Sequence, residues 1–378
     1  MIKKNSWTVY LLLLQFILFS CDREKFRSDV LLLDLEIVGS LEIELDSLTK
    51  KNHYTSYFAD EIKSFFIYND LVHSIYGFDI NSGNQKTKIQ LFKDGPNKVD
   101  DVVSIYTKDG LTFTLLTKYG ELIELGQSGN IIQTNKLLSR NSGGASLINR
   151  PKIFADGESF FVTVRPNNIT EKKNYASLMK GSFDIDEIEY IFPYPNNINI
   201  SNWGAMVNET KVAFVDSKNM FVVSFPFSED LYAYYLDGKL AEKHLTFSEL
   251  MPPPRRMEKS SDIDYSTKYL LTNSWFLNLL YDDVNKVFYR LGSIGYSDKK
   301  GDPLKGEFFS KNKEGFYHTL LILDENFKKV GEVKGVNIPN YSFISDGLLY
   351  TPNFQKKLAN EDVVVFDIYK LRSINNAI

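Results

Sequence analysis

The chain has 378 residues, a net charge of −4 and a single cysteine, and these totals exclude several classes of protein. It has no basic face or tail of the kind that nucleic-acid binding requires, so we expect no nucleic-acid partner. One cysteine cannot form an intramolecular disulfide. The four histidines (His53, His73, His244, His318) lack metal-ligand spacing, so we expect no metal and no other cofactor. The abundance of Phe and Tyr favours an all-β fold.

The first 20 residues predict a lipoprotein signal peptide. Two lysines precede the apolar run 7–19, which is too short to span a bilayer comfortably. The run ends in Leu18-Phe19-Ser20-Cys21, which resembles a bacterial lipobox, although Phe19 is bulkier than the usual residue. The resemblance implies cleavage before Cys21 and acylation of its thiol, with residues 21–29 as the acylated cysteine and tether. An ordinary secretory peptide with an incidental cysteine is the alternative.

A lipid anchor predicts where the protein is found. Acyl chains on Cys21 would attach the chain to a membrane, and more than one chain makes such an anchor stable. We therefore expect a cell-envelope protein at the outer membrane, with the periplasmic and surface faces both open.

Residues 30–378 are predicted to form one β-propeller domain. The stretch 102–137 contains four short β-branched or aromatic runs, separated by turns rich in Gly, Asp or Asn, and we interpret it as one blade. Similar units are predicted to begin near residues 55, 151, 211, 276 and 341, and recurrence at this spacing is typical of repeat architectures. Acidic or Asn-containing pairs recur at the predicted first turns: Asp60-Glu61, Asp109-Gly110, Asp156-Gly157, Asn208-Glu209, Asp282-Asp283 and Asp346-Gly347.

The last unit has only three strands of its own. A strand from the N-terminal runs 30–38 or 41–45 would supply the fourth, which closes the ring and removes its edges. The predicted fold is thus a six-bladed β-propeller of four-stranded antiparallel blades, closed by an N-terminal strand. Seven blades, with one hidden around residues 262–275, and a pair of β-sandwiches are the alternatives.

The long loops predict one functional face. The connections that enter each blade, and those that join its second and third strands, share one face of a propeller, and here they are the long ones. Arginines there could bind carboxylate or phosphate, and aromatic and Asn side chains could bind a sugar ring. The predicted ligand-binding residues are Asn97, Arg140, Arg150, Arg165, Tyr194, Trp203, Arg255 and Arg256.

Three stretches resemble a known family. They are residues 94–99 (Asp-Gly-Pro-Asn-Lys-Val), the stretch from Phe225-Pro226 to Tyr235, and Tyr281-Asp282 followed by Val287-Phe288-Tyr289-Arg290. These are similar to domain-of-unknown-function family 4221, lipoproteins found mainly in Bacteroidota, whose members resemble TolB-like six-bladed propellers. The resemblance implies fold and localisation, and no catalytic residue is carried over.

No nucleophile elbow, P-loop or Ser-His-Asp order is present, so we expect a binding module that uses the long-loop face. Its partner could be a glycan, a peptide or an envelope protein. The alternative is a carbohydrate-active enzyme, which needs two or more carboxylates converging in the central channel. A third hypothesis is an assembly lipoprotein with a flat apolar patch.

Overall fold

The computed structural model describes residues 33–45, 55–137, 145–147, 151–157, 159–166, 176–183, 188–194, 209–255, 269, 271–295, 317–353 and 363–373. Nearly all of these residues lie in strands or in the turns between them. The strands form six antiparallel sheets, which are the blades of a six-bladed β-propeller. The predicted signal peptide and tether lie outside the described residues.

The strands follow one another in blade order after β1 (Leu33–Glu44). Blade one contains β2 (Ser56–Ala59), β3 (Ser64–Asn69), β4 (Ser74–Asp79) and β5 (Gln85–Gln90), and blade two contains β6 (Val102–Tyr106), β7 (Thr112–Thr117), β8 (Glu121–Gly126) and β9 (Ile131–Lys136). Blade three contains β10 (Ala145–Leu147), β11 (Ile153–Asp156), β12 (Ser159–Pro166), β13 (Ala176–Ser182) and β14 (Glu189–Pro193). Blade four contains β15 (Lys211–Val215), β16 (Met220–Ser224), β17 (Asp230–Tyr235) and β18 (Leu240–Leu245). Blade five contains β19 (Trp275–Asp282), β20 (Val287–Ile294), β21 (Tyr317–Asp324) and β22 (Lys329–Lys334), and blade six contains β23 (Phe343–Ser345), β24 (Leu348–Pro352) and β25 (Val363–Ser373).

The N-terminal strand completes the sixth blade. β1 pairs antiparallel with β25 along its whole length, and the strand order in this sheet is β1-β25-β24-β23. The two ends of the propeller are therefore held together by a backbone ladder. The prediction of six blades closed by an N-terminal strand is confirmed, and the seven-blade and sandwich alternatives are wrong.

The middle strands of the blades form the core. Every side chain of β3 and of β4 is buried, because each blade packs between two others, whereas the outer strand β5 buries only Ile89. Apolar clusters fill the spaces between blades; for example, Phe66 of blade one meets Phe113 of blade two edge-on, with ring centroids 5.2 Å apart. This double burial explains why several middle strands do not alternate in hydrophobicity.

Two local predictions need correction. The first turn of blade four is a 3-10 turn at Asp216–Lys218, not Asn208-Glu209, because β15 pairs directly with β16 and the turn must lie between them. The connection that enters blade three, one of the long connections predicted to be loops, contains β10. β12 extends past its pairing with β11, and β10 pairs with that extension, where Leu147 faces Val164.

Candidate functional site

The central channel of the propeller is the candidate functional site. The inner strands of all six blades surround a cavity of about 600 Å³. Every blade contributes a half-buried aromatic side chain from its inner strand or the residues next to it. These six side chains are Tyr57, Tyr106, Phe154, Phe214, Tyr281 and Tyr341. A cavity of this size, with aromatic walls and a few polar groups, is typical of small-molecule sites.

The phenols of the channel wall remain neutral. The rings of Tyr57 and Tyr106 tilt against each other with centroids 5.3 Å apart. Burial raises the pKa of both hydroxyls, and the nearby carboxylate of Glu61 raises them further. At physiological pH each phenol is therefore uncharged and can donate a hydrogen bond.

The channel end formed by the first turns of the blades is acidic. Asp60, Glu61, Asp216, Asp283 and Asp346 line it, each from a turn that follows an inner strand. The acidic first-turn residues of blades one, four, five and six therefore meet around one end of the channel, whereas the predicted Asp109 of blade two and Asp156 of blade three do not line it, and the position in blade four was predicted wrongly.

Lysines neutralise part of this acidic end. Lys63 of blade one bridges Asp60 at 2.7 Å and Asp346 of blade six at 2.9 Å. Burial lowers the pKa of Lys63, but hydrogen bonds to the two carboxylates raise it by more, so the ammonium stays charged. Lys286 pairs with Asp283 at 2.8 Å, and Lys108 also lines this end of the cavity. Within the described residues, Glu61 and Asp216 form no ion pair, so the carboxylates at this end outnumber the lysines.

The opposite end of the channel, where the inner strands begin, carries a buried cation. Lys152 directly precedes β11 and lines the cavity. Its side chain is surrounded by protein but keeps part of its surface open to the channel interior. Burial, together with the nearby ammonium of Lys211, lowers the pKa of Lys152 to about 8. The channel is thus positive at its long-loop end and negative at its first-turn end.

The structure describes four of the eight predicted ligand-binding residues. The Asn97 carboxamide accepts a hydrogen bond from the Ile131 amide at 3.1 Å and contacts Asn130, so it ties the loop 92–101 to blade two. Tyr194 is buried in the apolar cluster between blades three and four, 4.8 Å from Phe225 between ring centroids, and burial raises its pKa.

The remaining described positions are two arginines. The exposed Arg255 donates to the Thr272 carbonyl at 3.2 Å, and its backbone is held by Asn273 and Tyr269. Arg165 is described only through its backbone, which pairs with Ser146. The other predicted residues, Cys21, Arg140, Arg150, Trp203 and Arg256, lie outside the described residues.

Lys152 and the aromatic wall were not among the predicted ligand-binding residues, which all came from loops and strand ends, where function is frequent. They lie in or next to inner strands that were predicted correctly. Alternate residues share one side of a strand. The sequence does not show which side of an inner strand lines the channel.

The ring of six sheets around an aromatic-walled channel defines a six-bladed β-propeller with a central cavity. Within that class, the chain belongs to the family described as Domain of unknown function (DUF4221), which matches residues 33–334. The family resemblance predicted from the three sequence stretches is confirmed.

Solved structures agree with this assignment. A member of the DUF4221 family from Bacteroides vulgatus is 17% identical with a TM-score of 0.74, covering 91% of this chain and 100% of that chain. A protein of Bacteroides fragilis thought to be exported is 11% identical with a TM-score of 0.52, covering 93% and 98%. At such identities the likeness shows the fold alone. No curated protein matches the sequence.

In the described part of the chain, no helix is long and apolar enough to cross a bilayer. The same residues contain no group of three or more His, Cys, Asp or Glu side chains placed to hold a metal ion.

Proposed function

We propose that this protein is a lipid-anchored binding module of the cell envelope that holds a small ligand in the central channel of its propeller. The observation that carries the proposal is the cavity of about 600 Å³, to which every blade contributes an aromatic side chain. Aromatic faces bind apolar ring surfaces, and neutral phenols add hydrogen bonds that orient a ligand.

The ligand would enter from the long-loop face. The inner strands begin on that side, and Arg255 lies there with its guanidinium exposed. Arg140, Arg150, Arg165, Arg256 and Trp203 remain proposed contacts at the entrance. Asn97 and Tyr194 would act indirectly, because their described contacts hold loop and core positions.

Binding can be tested on the full chain, purified in detergent, with a panel of glycans and peptides. A ligand at 100 times its Kd stabilises the native state by about 2.7 kcal/mol, which raises the melting temperature. We expect Phe214→Leu to weaken the effect of any such ligand, since it removes an aromatic face from the channel. Tyr235→Leu is the matched control, because Tyr235 belongs to the same blade but is 51% exposed outside the channel.

Two results would contradict the proposal. One is a panel without any stabilising compound, which would favour a protein partner and an assembly role. The other is a ligand that stabilises the Phe214→Leu variant as strongly as the wild type, which would place binding elsewhere.

The lipid anchor is proposed from the lipobox at Leu18-Phe19-Ser20-Cys21. Cells supplied with an alkyne-labelled fatty acid should incorporate the label into the wild-type chain but not into Cys21→Ser. Fractionation should recover the wild type with the outer membrane. Labelling of the Cys21→Ser variant would refute acylation at this thiol.

A carbohydrate-active enzyme is a second candidate, because Glu61 and Asp216 line the acidic end of the channel without described ion pairs. If so, a glycan that binds should be cleaved, and both Glu61→Gln and Asp216→Asn should stop the cleavage without preventing binding. Binding without cleavage would leave the binding module as the function.

A further inference from the structure

Lys152 is the feature of the channel that the proposed function leaves unexplained. Its backbone amide donates to the Thr163 hydroxyl at 2.7 Å, but no hydrogen bond or ion pair of its ammonium is found among the described residues. A buried ammonium without a counter-charge is unfavourable, and proteins normally pair or neutralise such a group.

No described carboxylate pairs with Lys152. Besides burial, the charge among the described residues that lowers the pKa of its ammonium is that of Lys211 at the start of β15. Lys211 is itself paired with Glu209 at 3.4 Å, and its side chain is only 11% exposed. An anionic group in the channel could therefore supply the counter-charge that the described residues do not give Lys152.

The residues next to Lys152 indicate what carries the anion. Phe154 lies two positions further along the chain, so both side chains lie on the same side of the strand, roughly 7 Å apart along it, and both residues line the cavity. The half-buried Phe154 ring also packs on Phe221, with ring centroids 5.4 Å apart, which holds it beside the cavity. Ser104 and Asn340 add polar groups to the cavity wall. An aromatic face next to hydroxyl and amide groups suits a sugar ring, whose C–H face stacks and whose hydroxyls form hydrogen bonds.

We propose that the channel binds a sugar ring that bears a carboxylate, as in a uronic-acid unit of a glycan, with the carboxylate on Lys152 and the ring against Phe154. This inference rests on the proposed function, because it names the ligand class of the same cavity. The acidic end at Glu61 and Asp216 repels an anion, so the ligand is oriented with its carboxylate towards the long-loop end.

The test compares trigalacturonate with its fully methyl-esterified form, by calorimetry on the full chain in detergent. The two probes share the same sugar chain and differ only at the carboxyl groups, which in the ester carry a methyl group and no charge. We expect the acid to bind on the order of 10- to 100-fold more tightly than the ester, as for a charge-assisted hydrogen bond in a buried site. Lys152→Met should reduce acid binding to the level of the ester, and Lys152→Arg should keep most of the preference.

Lys118→Met is the control for net charge. Lys118 is exposed in the turn between β7 and β8, outside the cavity, and its replacement should leave the preference unchanged. Melting temperatures of the variants check that the fold is retained. Equal binding of acid and ester, or an unaltered preference in Lys152→Met, would overturn the inference.

The outcomes separate the inference from the proposed function. If neither galacturonate form binds but a neutral glycan does, and Phe154→Leu weakens that binding, the binding module stands and the uronate assignment falls. If no glycan or peptide binds, both fall. If acid binding depends on Lys152 and on Phe154, both stand.

Discussion

Arg290 offers the sharpest test of how the blades are held together. It belongs to β20 of blade five, within the stretch 287–290 that carries part of the family resemblance, and its side chain is fully buried. The guanidinium donates to the carbonyls of Ser228 at 2.5 Å and Glu229 at 2.8 Å, and to the hydroxyls of Ser224 and Thr246. All four acceptors belong to blade four, so this single side chain joins two neighbouring blades.

The geometry around Arg290 gives the size of the expected effect. Its Cζ lies 3.4 Å from the ring centroid of Phe276, which completes a site shaped for a planar guanidinium. Replacement by Met leaves buried carbonyls and hydroxyls unpaired, each at a cost of roughly 1–3 kcal/mol, while it also removes a buried charge. We therefore expect Arg290→Met to lower the free energy of unfolding by about 3–5 kcal/mol, as for a broken buried network.

Thermal unfolding by circular dichroism measures this effect. At about 2–4 °C for each kcal/mol in a large domain, the melting temperature should fall by roughly 6–20 °C. Arg290→Lys should also lose stability, because one ammonium cannot reach all four acceptors.

The matched control is Arg372→Met. Arg372 is 52% exposed and pairs with Asp34 at 3.1 Å, and such a surface pair contributes roughly 0–1 kcal/mol. If Arg290→Met shifts the melting temperature no more than Arg372→Met does, Arg290 does not join the blades as described.

Three further predictions concern the backbone, pH and ring closure. Gly83 has a φ of +74°, and a Cβ there would overlap the Glu42 carbonyl, whereas at Gly95 φ is +86° but no atom lies within 4 Å of such a Cβ. Gly83→Ala should therefore destabilise the fold by more than Gly95→Ala does. The urea midpoints of the two variants measure this difference. Burial opposes ionisation of Glu332, yet hydrogen bonds from Ser248 and its neighbours lower the pKa below its usual value near 4.5. The ionised carboxylate therefore stabilises the fold above about pH 4.5, and this contribution is lost as the pH falls through the lower folded-state pKa. Glu332→Gln should therefore flatten the acid side of a plot of melting temperature against pH. An unchanged plot would contradict this origin of the acid sensitivity. A chain that begins at residue 46 lacks β1 and should aggregate, because the β25 edge is exposed. A chain that begins at residue 30 keeps β1 and should remain monomeric in size-exclusion chromatography. Equal behaviour of the two chains would refute the role of β1 in closing the ring.

The blades could be predicted because their signals are local. The hairpin turns at residues 81–84 and 127–130 place Gly83 and Gly129 at positive φ, where the absence of a side chain is needed. The missing fourth strand of blade six could be inferred by counting, since a propeller without it would leave an unpaired edge. The first turn of blade four was predicted at the wrong position because Asp216–Lys218 contains no glycine. Asn219 takes the left-handed conformation there instead.

The channel could not be predicted in the same way. Which side of a short inner strand faces the axis depends on how each blade twists, and a shift by one residue reverses the answer. Phe154 and Phe160 of blade three are both aromatic in sequence, yet Phe154 faces the channel and Phe160 is buried towards blade two. The environment of the Lys152 ammonium could not be predicted from the sequence either, because only the assembled ring shows that Lys211 is its neighbour.

The distribution of charge along the channel combines features that could and could not be predicted from the sequence. Acidic first turns recur in the sequence and could have been read as isolated turn signals, each explained by local hydrogen bonding. Blades one, four, five and six bring such residues to one end of a cavity, where Lys63 links the carboxylates of blades one and six while Glu61 and Asp216 remain unpaired among the described residues. Because Lys152 lies at the other end, the described charged residues that line the channel differ in sign between its two ends. The proposed ligand, with its one anionic end, would therefore bind in one orientation, and this directionality would arise from ring assembly rather than from any single motif.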